Sequence, residues 1–338
     1  MATTQISDVI VPEIYNAYIR RMSLEDNALI RSGAVVADSE LSSLLAGGGL
    51  KFHSRSFNPL DADDDDRVSS DNPTQIAQHG KITSANEVQL RLSRNKSWSS
   101  MDLAAALAGT DPAQAIQSYT SDYWLARQQA ALIASVRGVF ADNAKAPTAG
   151  EHVLNDMTNN ISGGTGAAAA FSASAFIDAQ ATMGSHQSDL SLVAVHPVIY
   201  TEMRKQNLID FIPVSINGAA VSVPTYQGAH VLMDSRIPST GGTFETWLFG
   251  RGAIRFGFHL PMNAVATERK EDIGNGAGGE ILYNRQEWVL HPVGYAYRGG
   301  DFPANANTTG NLAHEDSWQR VFKDRREIRI ARLISKQF

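Results

Sequence analysis

The feature that most restricts what this chain can fold into is a long helical stretch over residues 111–141. Asp111 offers a side-chain acceptor to the orphan N–H groups of a first turn, and Pro112 stands at the first helical position, where its missing N–H costs nothing. At 1.5 Å per residue such a helix spans about 45 Å, roughly the width of a domain. One apolar stripe runs through Ile116, Tyr119, Tyr123, Ala126, Ala130, Ile133 and Phe140, and a second through Leu125, Leu132, Val136 and Val139. Two apolar faces need two partners, so the pattern predicts a strut between layers. The central helix of an ordinary globular fold satisfies the same pattern, and the flanking segments must decide between them.

The 338 residues are 43% apolar and 19% charged, enough for a sizeable core or for two lobes sharing one wall. A net charge of -6 argues against a surface that coats nucleic acid, because neutralising phosphates takes clustered Lys and Arg. Cysteine is absent, which removes disulfides, thiolate zinc sites and cysteine nucleophiles together. The first apolar residues are interrupted by Asp8, Pro12 and Glu13, unlike a secretory signal. The alanine-rich run at 163–184 carries Ser172, Ser174, Asp178 and Gln180 and would not span a bilayer.

Taken in order, residues 1–22 read as an amphipathic arm, with Ile14, Tyr15, Tyr18, Ile19 and Met22 at helical spacing after Pro12. A shorter apolar segment at 24–36 is closed by Ser32 and Gly33; Gly47, Gly48 and Gly49 then break the preceding helix, and strand-like runs follow at 50–57 and 87–93. In the second run Val88, Leu90 and Leu92 alternate with Gln89, Arg91 and Ser93, the period of a strand with one wet face. A connection of about thirty polar residues separates the two runs, too long for a compact domain, so the expectation is a hairpin that leaves the body. Asp61, Asp63, Asp64, Asp65 and Asp66 mark its tip. The spacing of Asp61, Asp63 and Asp65 matches the start of a calcium loop, but Asp66 occupies the place of the obligatory glycine and Asn72 that of the bidentate glutamate. A solvated acidic tip, or one pairing with basic groups of another subunit, fits better.

Beyond the hairpin, residues 98–108 read as a short helix, 151–158 as a polar strand and 171–183 as a helix. Residues 190–195 form a buried strand ended by His196 and Pro197, which open another helix. Strands are expected at 220–223, 229–233, 246–249, 253–258, 287–297 and 328–334, with turns at 274–279 and 305–310.

Catalytic constellations are missing. Gly274, Gly276 and Gly279 spell a dinucleotide fingerprint, but Glu268, Arg269, Lys270, Glu271 and Asp272 precede it where a buried strand is required. Gly163, Gly164 and Gly166 lack the Lys-Ser/Thr ending of a phosphate loop and read as a hinge. No histidine pair has the spacing of zinc hydrolases, and His196 and His291, each before a proline, read as packed and hydrogen-bonded. No catalytic residue, cofactor or metal is expected.

Several strings in order resemble the major capsid proteins of tailed bacteriophages, whose shell-forming fold is shared with encapsulins. These are VPEIYNAYIRR and ALIRSGAV near the start, SWSSMDLAAALAGTDPAQAI with YW before the long helix, then LVAVHPVIYTEMRK, VLMDSRIP, TWLFGRGAI and VLHPVGYAYR. The resemblance implies an α+β fold with an N-terminal arm (1–45), an extended β-hairpin loop (46–97), a peripheral lobe with the long spine helix (98–171 and 285–338) and an inserted axial lobe (172–284). It implies a structural subunit of an icosahedral capsid, assembling as pentamers and hexamers around double-stranded DNA, with portal and scaffolding proteins as partners, room for a decoration protein, and no membrane. The expected location is the virion, after assembly in the host bacterial cytoplasm. A separate scaffolding protein is expected because no long scaffolding segment precedes the arm. The assembly residues expected are Ile14 and Tyr18 for apolar contact, with Asp63, Asp64, Asp65, Asp66, Lys81, Arg91 and Arg94 for charge pairing, Lys96 beside them. Some relatives join a hairpin lysine covalently to a neighbour's asparagine; Lys51 and Lys81 lie in that segment, but no motif marks a partner and no crosslink is assigned. An encapsulin-like compartment and a nucleotide-binding enzyme using 274–279 stand as alternatives.

Overall fold

The structure, a computed structural model, describes residues 29–337 apart from 31, 61–67, 75, 77–78, 109–111, 148–151, 217–218 and 303–310. Ile14 and Tyr18, the acidic residues Asp61 and Asp63 to Asp66, the Asp111 cap and the turn expected at 305–310 lie outside the described residues. In chain order the elements are β1 (Val35–Ala37), α1 (Ser39–Ala46), β2 (Lys51–Phe57), β3 (Ser84–Leu90), β4 (Leu92–Met101), α2 (Asp102–Ala108) and α3 (Pro112–Ala144). Next come β5 (Thr158–Asn160), α4 (Ala173–Ala181), β6 (Leu190–Val195), α5 (Pro197–Lys205), β7 (Asp210–Ile216), β8 (Ala219–Tyr226) and β9 (Ala229–Met233). The remainder are β10 (Ser239–Thr240), β11 (Thr243–Gly250), β12 (Ile254–His259), β13 (Val265–Lys270), β14 (Gly279–Pro292), β15 (Tyr295–Tyr297), β16 (Trp318–Arg320) and β17 (Ile330–Lys336).

The strut is α3, 33 residues long. Residues 115–123 are partly exposed, whereas from Trp124 to Asn143 nearly every position is buried or half-buried, so its apolar surface wraps the helix instead of forming two clean stripes. Edge-on ring contacts tie Trp124 to Trp288 of β14 at 5.9 Å, and Phe140 lies 6.1 Å from Trp247 of β11. Polar side chains brace it as well. Gln129 accepts from the Ile30 N–H at 3.0 Å and donates to Asp234, while Asn143 donates to Asp156 at 2.7 Å and accepts from the Met157 N–H at 3.2 Å. Gly138 lies where a Cβ would overlap the Leu312 carbonyl and the Trp318 indole, so the helix accepts glycine's lower propensity for close approach.

Two sheets flank the strut. In the first, the long β14 pairs with β4 along one edge and with β13 and then β12 along the other, and β1 adds in parallel beside β12. The second has the order β5-β17-β11-β6-β9-β8-β7, with β10 folded back onto β11 through Gly241 and Gly242, both at positive φ as a tight hairpin turn requires. This eight-stranded sheet is a wall between two cores. Leu192, Ala194, Trp247, Phe249 and Ile330 face the core around α3, and Val193, Val195, Leu248, Ala331 and Leu333 face a core beneath α4 and α5. Continuous apolar runs such as residues 190–195 follow from burial on both faces.

Sheet membership cuts across the expected lobe limits. β12 and β13, inside 172–284, pair in the sheet of β4 and β14, whereas β17, outside it, pairs with β11. The helix expected at 98–108 is a strand as far as Met101, because Trp98 to Met101 continue a ladder to β14 with Trp98 opposite Leu282; α2 begins only at Asp102. The strand expected at 151–158 is largely turns leading into β5.

Candidate functional site: a projecting hairpin and its root

Strands β2 and β3 form a two-stranded antiparallel sheet, registered from Lys51 opposite Leu90 to Phe57 opposite Ser84. Near the body the pair is buried: Phe52, Ala85, Val88 and Leu90 are covered, and β3 lies against β14 and β15. The face expected to be wet is covered too. Glu87 and Gln89 are buried, with Gln89 donating to Ser54 at 3.1 Å.

Two carboxylates lock this root. Glu87 accepts from the Gly294 N–H at 2.6 Å and from Arg255 at 3.4 Å, and it stands 3.5 Å from Nε2 of the buried His291. Burial pushes its pKa up, but His291, the Gly294 N–H and Arg255 outweigh that and hold it below the ordinary 4.5. Arg255 also reaches Asp38, which caps α1 through the N–H groups of Glu40 and Leu41. The second carboxylate, Glu287, accepts from Nε of Arg91 at 3.1 Å and from Ser93 at 3.1 Å. Arg91 sits where the chain passes from the hairpin into the large sheet. Its remaining donors go to the carbonyls of Gly49 at 3.1 Å and Leu45 at 2.9 Å, so one guanidinium ties both hairpin strands to the body. Arg91, expected to offer charge to another subunit, thus spends its donors within its own chain.

The rest of the hairpin differs. Phe57, Leu60, Val68, Ile76 and Ile82 are exposed, from 57% at Ile82 to 97% at Val68. A lone chain leaves these five large apolar side chains of one segment in water. Lys81 is exposed on the same limb, and Lys96 is exposed on β4. Arg94 is half-buried on β4 beside Arg127 of α3. Lys51 at the root pairs with Asp301 at 2.7 Å. Nothing in the sequence pattern singled out Glu87, Glu287 or His291 as one cluster. Their only signal was a carboxylate at alternate positions of a strand, which reads as a solvated face.

The other motifs have structural roles. The glycines at 274–279 form the turn joining antiparallel β13 and β14, with no helix opening behind them to receive a pyrophosphate. His196 caps α5, its Nδ1 accepting from the Val198 N–H at 3.3 Å, with Pro197 at the first helical position. Among the described residues no cluster of three or more His, Asp or Glu side chains is arranged to hold a metal, and no helix is long and apolar enough to cross a membrane.

No family model matches the sequence. The major capsid protein of Bacillus phage SPP1 is 35% identical over 338 aligned residues, covering 98% of this chain and 97% of that one. Among solved structures, the cyanophage Pam1 capsid asymmetric unit superposes with a TM-score of 0.56 at 9% identity, over 97% of this chain and 98% of that chain. The head structure of Helicobacter pylori bacteriophage KHP40 superposes with a TM-score of 0.50 at 11% identity, over 100% of this chain and 99% of that chain.

Proposed function

This chain belongs to the major capsid proteins of tailed bacteriophages, a subunit of a capsid shell, and from that premise we propose that the exposed limb of its hairpin is the principal contact between copies. Pentamers and hexamers close the shell around double-stranded DNA, each limb lying across an adjacent subunit. Heterologous contacts of this kind close into rings when the rotation permits. Portal and scaffolding proteins act with it during assembly in the host cytoplasm, a decoration protein is compatible with the outer surface, and the finished shell resides in the virion. The acidic residues at 63–66 and the basic Lys81 and Arg94 set register between copies, since exposed pairs are worth only about 0–1 kcal/mol each.

The observation that carries this reading is the contrast within the hairpin: a root whose two carboxylate anchors, Glu87 and Glu287, are paired inside the chain, then a limb with exposed apolar side chains. Burying such side chains stabilises a contact by about 1.5–3 kcal/mol apiece, repeated at every copy. The test replaces residues 58–83 by an Asn-Gly turn joining Phe57 to Ser84, which are already partners. Expected are folded monomers or small oligomers by sedimentation and no shells by electron microscopy. Normal shells from this variant would remove the limb from the assembly mechanism.

A further inference from the structure

The eight-stranded sheet ends in a ribbon that runs on past its neighbours. Strands β7 and β8 pair with each other from Asp210 opposite Thr225 to Ile216 opposite Ala219, whereas β9 pairs with β8 only at Thr225 and Tyr226. The root is anchored: Tyr226 is buried, its ring centroid 4.7 Å from that of Phe176. Outward of that root, among the described residues, no strand pairs with the outer edge of β7 or with β8 at 219–224. Phe211 and Ile212, close to the root, are already 55% and 49% exposed. Strand alternation and register place Ile212, Val214, Ile216, Ala219, Val221 and Val223 on one face of the ribbon.

From 211 to 229 the sequence has no Asp, Glu, Lys, Arg or His. Natural proteins blunt an open strand edge with charge, especially lysine, because unpaired N–H and C=O groups beside apolar residues recruit another strand. This ribbon has two open edges and no such charge. Pro213 and Pro224 each lack an N–H, which leaves 214–216 and 219–223 as the lengths able to pair outward. Since both edges belong to one ribbon, a copy can offer β7 to one neighbour and β8 to another, a head-to-tail contact that closes when copies are related by rotation. In a ring of equivalent ribbons β7 of one copy meets β8 of the next antiparallel, as the two already run within a copy. The charge pattern fits the same arrangement. Copies of a chain with net charge -6 repel, and a charged element that met its own copies would face like charge around the whole ring.

We propose that the β7–β8 ribbon is a strand-pairing surface whose occupant is the same ribbon of the adjacent copy, β7 edge against β8 edge, so that the ribbons of one ring close into an antiparallel belt without free edges. The proposal rests on the proposed rings of copies and is independent of the limb at 58–83. Backbone hydrogen bonds supply the affinity, and the apolar face, turned to one side of the belt, excludes water.

The test measures hydrogen exchange by mass spectrometry on the unaltered chain, once as dissociated subunits and once as assembled shells. Amides at 214–216 and 219–223 are expected to exchange about tenfold or more slowly in shells, as newly paired strand edges do. Equal exchange in the two states overturns the proposal. Protection at 58–83 is read from the same samples, so a limb that does not engage and a ribbon that does not engage are separate results. Because the chain has no cysteine, single-cysteine variants then show which edges meet. Ser215→Cys subunits are co-assembled with Ala220→Cys or Ser222→Cys subunits and oxidised with copper–phenanthroline. Disulfide-linked dimers are expected from a mixture and not from any variant alone, since only β7 against β8 brings the two thiols within disulfide reach. Dimers from one variant alone, or none from either mixture in shells of normal form, overturn the head-to-tail pairing. Where a variant does not assemble, the exchange measurement on the unaltered chain decides.

Discussion

The root and the limb of the hairpin belong to the same two strands, yet they solve opposite problems. At the root, two buried carboxylates find partners within the chain: Glu87 accepts from the Gly294 N–H and Arg255 and stands 3.5 Å from His291, and Glu287 accepts from Arg91 and Ser93. Along the limb, large apolar groups are exposed and unmatched: Phe57, Leu60, Val68, Ile76 and Ile82. The apolar side chains of the hairpin that serve the chain's own core are at the root, where Phe52, Val88 and Leu90 are buried. The contrast fits the proposal that the root completes the hairpin's packing on its own chain while the limb serves another molecule. On the proposed reading the polar root gives the limb its direction: apolar packing tolerates sliding, whereas a guanidinium tied to Glu287 on one side and to the Leu45 and Gly49 carbonyls on the other would hold the limb at one angle.

The largest effect on fold stability is expected at Glu87. Glu87→Ala leaves the Gly294 N–H, Arg255 and His291 facing a buried vacancy, and breaking a buried charged cluster from one side costs about 3–5 kcal/mol. Urea denaturation of dissociated subunits measures it; a loss below about 1 kcal/mol would show that the root is not held by this carboxylate. The same residue gives a pH signature. Because its folded pKa lies below the ordinary 4.5, the unfolded chain takes up the proton first. Its contribution is therefore complete above about pH 4.5 and is lost as pH falls through the folded value. Glu87→Gln should flatten that part of the stability profile, and an unchanged acid limb would assign it to other carboxylates.

Arg91→Ala ranks next. Its hydrogen bonds join a buried carboxylate and two carbonyls, and removing a charged donor set of this kind costs about 1.5–3 kcal/mol. Arg91→Lys should recover little, since one ammonium cannot reach Glu287, Gly49 and Leu45 in the fork's geometry. If the root aims the limb, both variants should give misshapen shells at temperatures where the subunit remains folded. Regular shells from Arg91→Ala would reduce the arginine to a stability role.

The legibility of this fold follows the range of its interactions. The strut, the strand at 190–195, the His196-Pro197 helix start and both arms of the hairpin were readable because caps, prolines and periodicity act over a few residues. The end of β4 was misread because Trp98 to Met101 owe their extended form to β14, nearly two hundred residues away. Strands β7 and β13 went unseen, one carrying Pro213 and the other the charged run Glu268 to Lys270. The root was illegible for a related reason. Glu87 alternates with apolar neighbours as a solvated residue would, and only the return of His291 and Gly294 across the fold turns that polar position into an interior one. Arg94 was expected as a surface charge; its place on a cavity wall depends on α3 and β14 arriving at the same point.

The smallest effect on the isolated subunit, and the sharpest test of the comparison, is expected on the limb. Phe57→Ser and Ile76→Ser remove side chains that touch little within the chain, so subunit stability should change by no more than about 0.5 kcal/mol. Assembly should respond quite differently. Each copy in a shell would lose a contact worth about 1.5–3 kcal/mol, so the protein concentration at which shells appear by light scattering should rise at least tenfold for either change and further for the pair. A destabilised subunit with unaltered assembly would invert the roles of limb and root. Two such outcomes cannot both arise from one mechanism, because a side chain already buried against its own chain has no apolar surface left to offer a neighbour.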